Sequence, residues 1–194
     1  MCPASQNTTA SAQERLLQAA AVLFYENGIA ATGIDSITKE AGVAKQSLYN
    51  NFASKADLVS AYLQARHQEW LDLYQARAAQ AATPQQRVLA VFLAYQDHAE
   101  SAYRHGFRGC GLLNAAAELT ADDPGRQVVR AHKEEVEALL AAPLTEWLPE
   151  KRAELLARHL AFLLEGAITR AGLEGGSDCV VQARAMAETL LAEA

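Results

Sequence analysis

The chain has 194 residues, 51% hydrophobic and 21% charged, with a formal net charge of −6, the balance of a globular protein and not of a disordered one. Only 11 Gly and 5 Pro interrupt an alanine-rich sequence, which favours helix, and no apolar run approaches the roughly 18 residues of a membrane span. Bulk charge gives no support to nucleic-acid binding, since residues 1–60 hold four cations against five carboxylates.

Met1 to Ala10 is polar and lacks the apolar stretch of a secretory signal, so a cytoplasmic protein is expected. Ser11 with Glu14 reads as a capping box. Behind it Leu16, Leu17, Ala20, Leu23 and Phe24 fall on one helical face, and Gly28 ends the helix. Thr32 with Asp35 is expected to cap a short second helix that runs to about Ala41, before Gly42. Lys45 to Asn51 makes a third. Ser54 with Asp57 caps a long fourth helix carrying Leu58, Tyr62, Trp70 and Leu73. Thr83-Pro84 with Gln86 opens the next, which carries Val88, Leu89, Phe92, Leu93 and Tyr95; Pro suits a first helical position because no donor is lost there. Gly106 to Gly111 is a break, followed by a short apolar helix around Leu112 to Leu119. Asp123-Pro124 and Pro149 open two more, Gly175-Gly176 ends the second of these, and Val180 to Leu191 forms the last. The class is all-α, with about nine helices, no convincing strand and no internal repeat.

Residues Ile34 to Phe52 have the form of a helix-turn-helix, two short helices joined by a tight turn that uses Gly. Gly42 supplies the turn. Ile34, Ile37 and Ala41 face inward, Val43 plugs the corner, and Leu48 and Phe52 close it. The outward face of the second helix is then Lys45, Gln46, Ser47, Tyr49 and Asn50, residue types that donate to phosphates and read base edges. Val43 to Lys55 carries two cations and no acid, so this surface is positive although the domain is not.

The run AAAVLFYENGIAATGIDSITKEAGVAKQSLYNNFASKADL, Ala19 to Leu58, resembles the TetR family of transcriptional regulators. The matching features are the aromatic and Gly that end the first helix, AGV at the turn, the Lys-x-x-Leu-Tyr recognition helix, and the Phe and Ser-Lys that follow. The resemblance implies an N-terminal three-helix DNA-binding domain over residues 1–55 and a helical sensor and dimerisation domain over 56–194. It implies that Thr32, at a helix N-terminus, contacts phosphate. Lys45 and Tyr49 would meet the DNA backbone, Lys55 would clamp a flanking phosphate, and Gln46, Ser47 and Asn50 would face the bases. Four positions depart from the pattern. Ala44 stands where Ser or Thr is usual, a lost cap of about 1 kcal/mol. Thr38 replaces a small Ala at the helix crossing. Asn50 and Asn51 replace the more frequent aromatic or His.

For the second half the resemblance implies an effector pocket, and a homodimer through the last two helices, whose stripe Leu156, Leu160, Leu163, Leu164 and Ala167 with Val180, Met186, Leu190 and Leu191 is broader than one face needs. Trp70, Phe92, Tyr95 and Phe162 are candidates for the pocket wall, or ordinary core. In Phe107 to Glu118, Asn114 and Glu118 lie one turn apart on an apolar helix, placed to orient a ligand or to satisfy neighbouring helix ends. Cys2, Cys110 and Cys179 are an odd set with no close pair, which argues against a disulfide framework or a zinc-finger spacing. Cys2 is expected to be exposed. Cys110 sits between glycines at a helix start with Arg108 and His105 near, features that lower a thiol pKa; it reads as an oxidant or electrophile sensor, or as a small buried hydrophobe. No dense charged cluster is visible among these helices, so an apolar to amphipathic effector is expected. No metal, no cofactor and no catalytic activity is expected: the histidines are scattered and no Glu-x-x-His pair is present. The function implied is a repressor released from palindromic double-stranded operator DNA by a small-molecule or thiol-reactive signal. The alternative is an all-helical small-molecule-binding protein that does not touch DNA.

Overall fold

A computed structural model describes residues 10–101 and 103–194; Cys2 lies outside the described residues. Among these, nine helices and no strand occur: α1 (Ala12–Asn27), α2 (Ile34–Ala41), α3 (Lys45–Asn51), α4 (Lys55–Ala78), α5 (Pro84–Glu100), α6 (Gly111–Glu118), α7 (Pro124–Leu144), α8 (Glu150–Glu174) and α9 (Asp178–Ala192). No helix among them is long and apolar enough to cross a membrane. The chain divides into two compact units, one ending at Tyr62 and one over Leu63–Ala194. The division falls within α4, a few residues beyond the 55/56 boundary read from the sequence.

In the first unit local chemistry sets the helix ends. The Ser11 hydroxyl accepts the Glu14 N–H at 3.2 Å, and the Glu14 carboxylate accepts the Ser11 N–H at 2.7 Å, so two orphan donors of α1 are satisfied at once. Thr32 does not cap α2: Gly33 holds that position, with no side-chain cap. The Thr32 hydroxyl instead donates to the carbonyls of Gly28 at 2.6 Å and Leu23 at 3.2 Å. The last turn of α1 has carbonyls with no intrahelical donor, and that demand wins. Gly42 ends α2 in the left-handed conformation (φ 63°, ψ 38°), which costs an L side chain about 1–2 kcal/mol. α3 has no side-chain cap at Ala44, as its methyl dictates. The core of the unit is Leu16, Ile37, Leu48 and Leu58, all fully buried. Phe24 meets the Tyr62 ring edge-on at 5.4 Å. Thr38 is accommodated at the crossing, buried, with its hydroxyl donated to the Asp35 carbonyl at 3.1 Å.

In the second unit α5, α7, α8 and α9 form a closed ring, each packed on the next, with α6 against α7. Thr83 and Gln86 make the expected capping box around Pro84. Asp123 caps α7 through the Gly125 N–H at 2.7 Å. Arg77 holds Asp97 by two hydrogen bonds of 2.6 and 2.5 Å, joining α4 to α5. Where the loop before α6 crosses α8, a Cβ on Gly172 would lie 2.5 Å from the Gly109 nitrogen; only glycine admits so close an approach.

Candidate nucleic-acid interface and buried polar core

α3 is seven residues long, too short to stand alone. It is held by Leu48, fully buried, with Phe52 beyond its end also in the core. That anchoring turns Lys45, Gln46, Tyr49 and Asn50 outward, all four exposed, with Ser47 partly so. The Lys45 ammonium is 2.9 Å from the Asp35 carboxylate of α2, and that hydrogen bond raises its pKa. Gln46 donates its amide to the Asn50 side-chain oxygen at 3.1 Å, so the two amides present themselves as one unit. The Asn51 amide is committed to the Ser47 carbonyl at 2.7 Å. Tyr49 is 47% exposed, a large half-uncovered ring on a polar face.

Thr32 and Lys55, read from the sequence as phosphate contacts, are engaged internally. Thr32 is 3% exposed, its hydroxyl spent on the end of α1. The Lys55 ammonium donates to the Ile29 carbonyl at 2.6 Å, tying the start of α4 to the corner between α1 and α2. Both residues brace the corner between α1 and α2.

The second unit contains a polar line that the sequence did not disclose. His67 Nδ1 and His132 Nδ1 are 2.9 Å apart, the Tyr95 hydroxyl lies 3.3 Å from His132 Nε2, Lys133 Nζ is 3.5 Å from that hydroxyl, and His67 Nε2 is 3.3 Å from the Glu135 carboxylate. A neutral imidazole has one donor and one acceptor nitrogen, so one direction of donation runs consistently along the line. Lys133 donates to Tyr95, Tyr95 to His132 Nε2, His132 Nδ1–H to His67, and His67 Nε2–H to Glu135. Burial holds His132 neutral, pushing its pKa down to about 3, with the charge of Lys133 adding to the effect. Burial likewise lowers His98 to about 4, with Arg66 and Lys133 reinforcing it, and pushes the Tyr95 hydroxyl up to about 12. Lys133 keeps its proton: burial disfavours the charge, and Tyr95, Cys110 and Glu165 outweigh it.

Of the residues expected at a ligand wall, Trp70 and Tyr95 meet, their ring centroids 5.1 Å apart, and Phe92 is fully buried. Phe162 is not part of that wall. It stands 65% exposed on α8, because the buried face of that helix is taken by Leu160, Ala161 and Leu164. Cys110 is the N-cap residue of α6 and is buried. Asn114 donates its amide to the Arg108 carbonyl at 3.0 Å, which fixes the loop before α6, and Glu118 is exposed at the end of that helix. Sequence reasoning passed over His67, His98, His132 and Lys133 because they lie on three helices distant in the chain. One signal was present. Val129, His132, Val136 and Leu140 fall on one helical stripe, which puts His132 on the buried face of α7. Among the described residues no group of three or more His, Cys, Asp or Glu side chains is placed to hold a metal ion.

Comparison with known proteins gives the same result from three directions. The family model described as bacterial regulatory proteins, tetR family, matches residues 16–62. An HTH-type transcriptional repressor, KstR2, of Mycolicibacterium smegmatis is 34% identical over 95 residues, 48% of this chain and 46% of that protein; the matched segment spans about half the length of this curated relative. A TetR-family transcriptional regulator from Streptomyces coelicolor superposes with a TM-score of 0.85 at 30% identity, covering 94% of this chain and 95% of that one. A regulatory protein TetR from Rhodobacter sphaeroides gives a TM-score of 0.77 at 26% identity, over 92% and 97% of the two chains.

Proposed function

The chain belongs to the TetR family of bacterial regulatory proteins, and from that footing we propose that it acts in the cytoplasm as a repressor, binding palindromic operator DNA as a homodimer and releasing it when a small molecule occupies the second unit. The observation that carries this reading is the face of α3. Lys45, Gln46, Tyr49 and Asn50 are exposed together on a helix whose other side is locked by the fully buried Leu48, inside the segment matched by the family model. On DNA, Lys45 exchanges Asp35 for a phosphate, Tyr49 lies along the sugar-phosphate backbone, and the Gln46–Asn50 pair with Ser47 reads base edges. Thr32 and Lys55 act by positioning, through the carbonyls they hold.

Dimerisation is supported by the outer face of α8 and α9. Leu155, Phe162, Met186 and Leu190 are exposed there, and exposed apolar side chains around a groove mark an association site. Phe162 and Met186 border a groove of about 660 Å³ that a second copy would fill. A two-fold dimer carries two recognition helices, one for each half of a palindromic site. Among possible signals the buried position of Cys110 favours a small molecule over a thiol reagent. A direct test is affinity for a genomic fragment retained by the purified protein. Tyr49→Ala, with an unchanged melting temperature, is expected to weaken binding at least tenfold; unchanged affinity would remove α3 as the reading helix.

A further inference from the structure

The polar line in the second unit is rich in donors and poor in acceptors. The Trp70 indole N–H is 3% exposed and makes no hydrogen bond, although a buried donor left unmet costs about 1–3 kcal/mol. Lys133, its side chain 15% exposed, has as its counter-ion only a long contact to Glu165, 3.9 Å, and as its hydrogen-bond partner the Tyr95 hydroxyl at the limit of such a bond, 3.5 Å. The same ammonium lies 5.6 Å from the Tyr95 ring centroid, and that ring also borders Trp70. His132, between Tyr95 and His67, offers Lys133 no negative charge. The one flexible partner is Glu165, nearly two-fifths exposed, and it also lines a groove of about 590 Å³ between α6 and α8, with Leu113, Thr169 and Leu173. That volume is within the range of small-molecule sites. The other charged pair in the groove, Arg170 and Glu174, is self-neutralised at 2.8 Å.

We infer that the second unit binds a small organic acid with an apolar tail: its carboxylate replaces Glu165 as the partner of Lys133, and the tail lies along Leu113 and Leu173. The site requires an acceptor that carries a negative charge, since three donors of one ammonium converge where the protein offers a hydroxyl and a distant carboxylate. A neutral amide of the same shape would bring a weaker acceptor and leave the ammonium to Glu165. This deepens the effector reading above, but it is a statement about binding to the protein alone, so it stands or falls separately from any effect on DNA.

The test titrates the full chain, without DNA, with octanoate and with octanamide, and follows the indole N–H resonances of Trp70 and Trp147, distinguished by a Trp147→Phe variant. Octanoate is expected to move the Trp70 signal and to bind at least tenfold tighter than octanamide. Lys133→Gln is expected to bring that ratio within threefold. Because a buried substitution can disturb folding, Glu165→Gln is the second variant: with the resident carboxylate gone, octanoate binding tightens several-fold while octanamide is unaffected. Equal binding of acid and amide, a Trp70 signal that does not respond, or no gain from Glu165→Gln would each overturn the inference.

Discussion

In the proposed function the Lys45 ammonium leaves the Asp35 carboxylate at 2.9 Å for a DNA phosphate. The existing pair is exposed on both sides, and such pairs are worth at most about 1 kcal/mol, so exchange for a phosphate that releases counterions is favourable. Lys45→Ala is therefore expected to weaken binding to all sequences alike and to flatten the dependence of log affinity on log salt by about one per recognition helix. Gln46→Ala is expected to act on discrimination, with preference at one operator position falling by about 1–3 kcal/mol; a salt titration and a set of single-base operator variants separate the two. The histidines give a different kind of prediction. His132 and His98 ionise near their ordinary value of 6.5 in the unfolded chain but only at about 3 and about 4 when folded. Stability is thus complete above pH 6.5 and falls as the pH drops towards those values, because the unfolded state takes up the protons first. By pH 5 the loss is about 2 kcal/mol for each histidine. Urea midpoints at pH 8 and pH 5 measure it, and His132→Gln is expected to remove about half of the difference. A midpoint that does not change with pH would contradict the buried, neutral placement.

At the scale of the helices, packing decides what propensity alone leaves marginal. α2 and α3 have eight and seven residues and no side-chain caps, so they persist because Ile37 and Leu48 are buried between their neighbours. Leu48→Ala is expected to destabilise the protein by about 2–5 kcal/mol and to abolish DNA binding with it. Gly172→Ala is expected to cost about 1–3 kcal/mol by overpacking, since its methyl would meet the Gly109 backbone, and its effect should appear as faster proteolysis in the loop before α6. The helix ends were legible because a cap is a contact between residues three apart: Ser11 with Glu14 and Thr83 with Gln86 could be read directly, as could Gly42 at its turn. Thr32 was misread as a cap because two sets of unsatisfied groups lie within its reach, and sequence does not say which is nearer. Phe162 was misplaced for a similar reason. On a helix apolar over most of its circumference, spacing does not tell the buried face from the outer one. The line from Lys133 to Glu135 was invisible because its members come from α4, α5 and α7, and their convergence is a property of the packed ring.

At the scale of the whole molecule, the exposed apolar residues of α8 and α9 and the polar face of α3 belong to different compact units, and the proposed function needs both. Phe162→Glu combined with Met186→Glu is expected to yield a monomer in sedimentation at micromolar concentration with its helical content retained. It should also lose affinity for a two-half-site operator by two or more orders of magnitude. A double variant that stays dimeric would move the interface elsewhere. The measurement that goes most directly to the function is selection of fragmented genomic DNA by the purified full chain at low salt, followed by sequencing. Enrichment of one palindromic sequence is the result that the proposed function predicts. Recovery of fragments with no common sequence would contradict it, and would leave the second unit as a small-molecule-binding domain attached to a helix-turn-helix that does not read DNA.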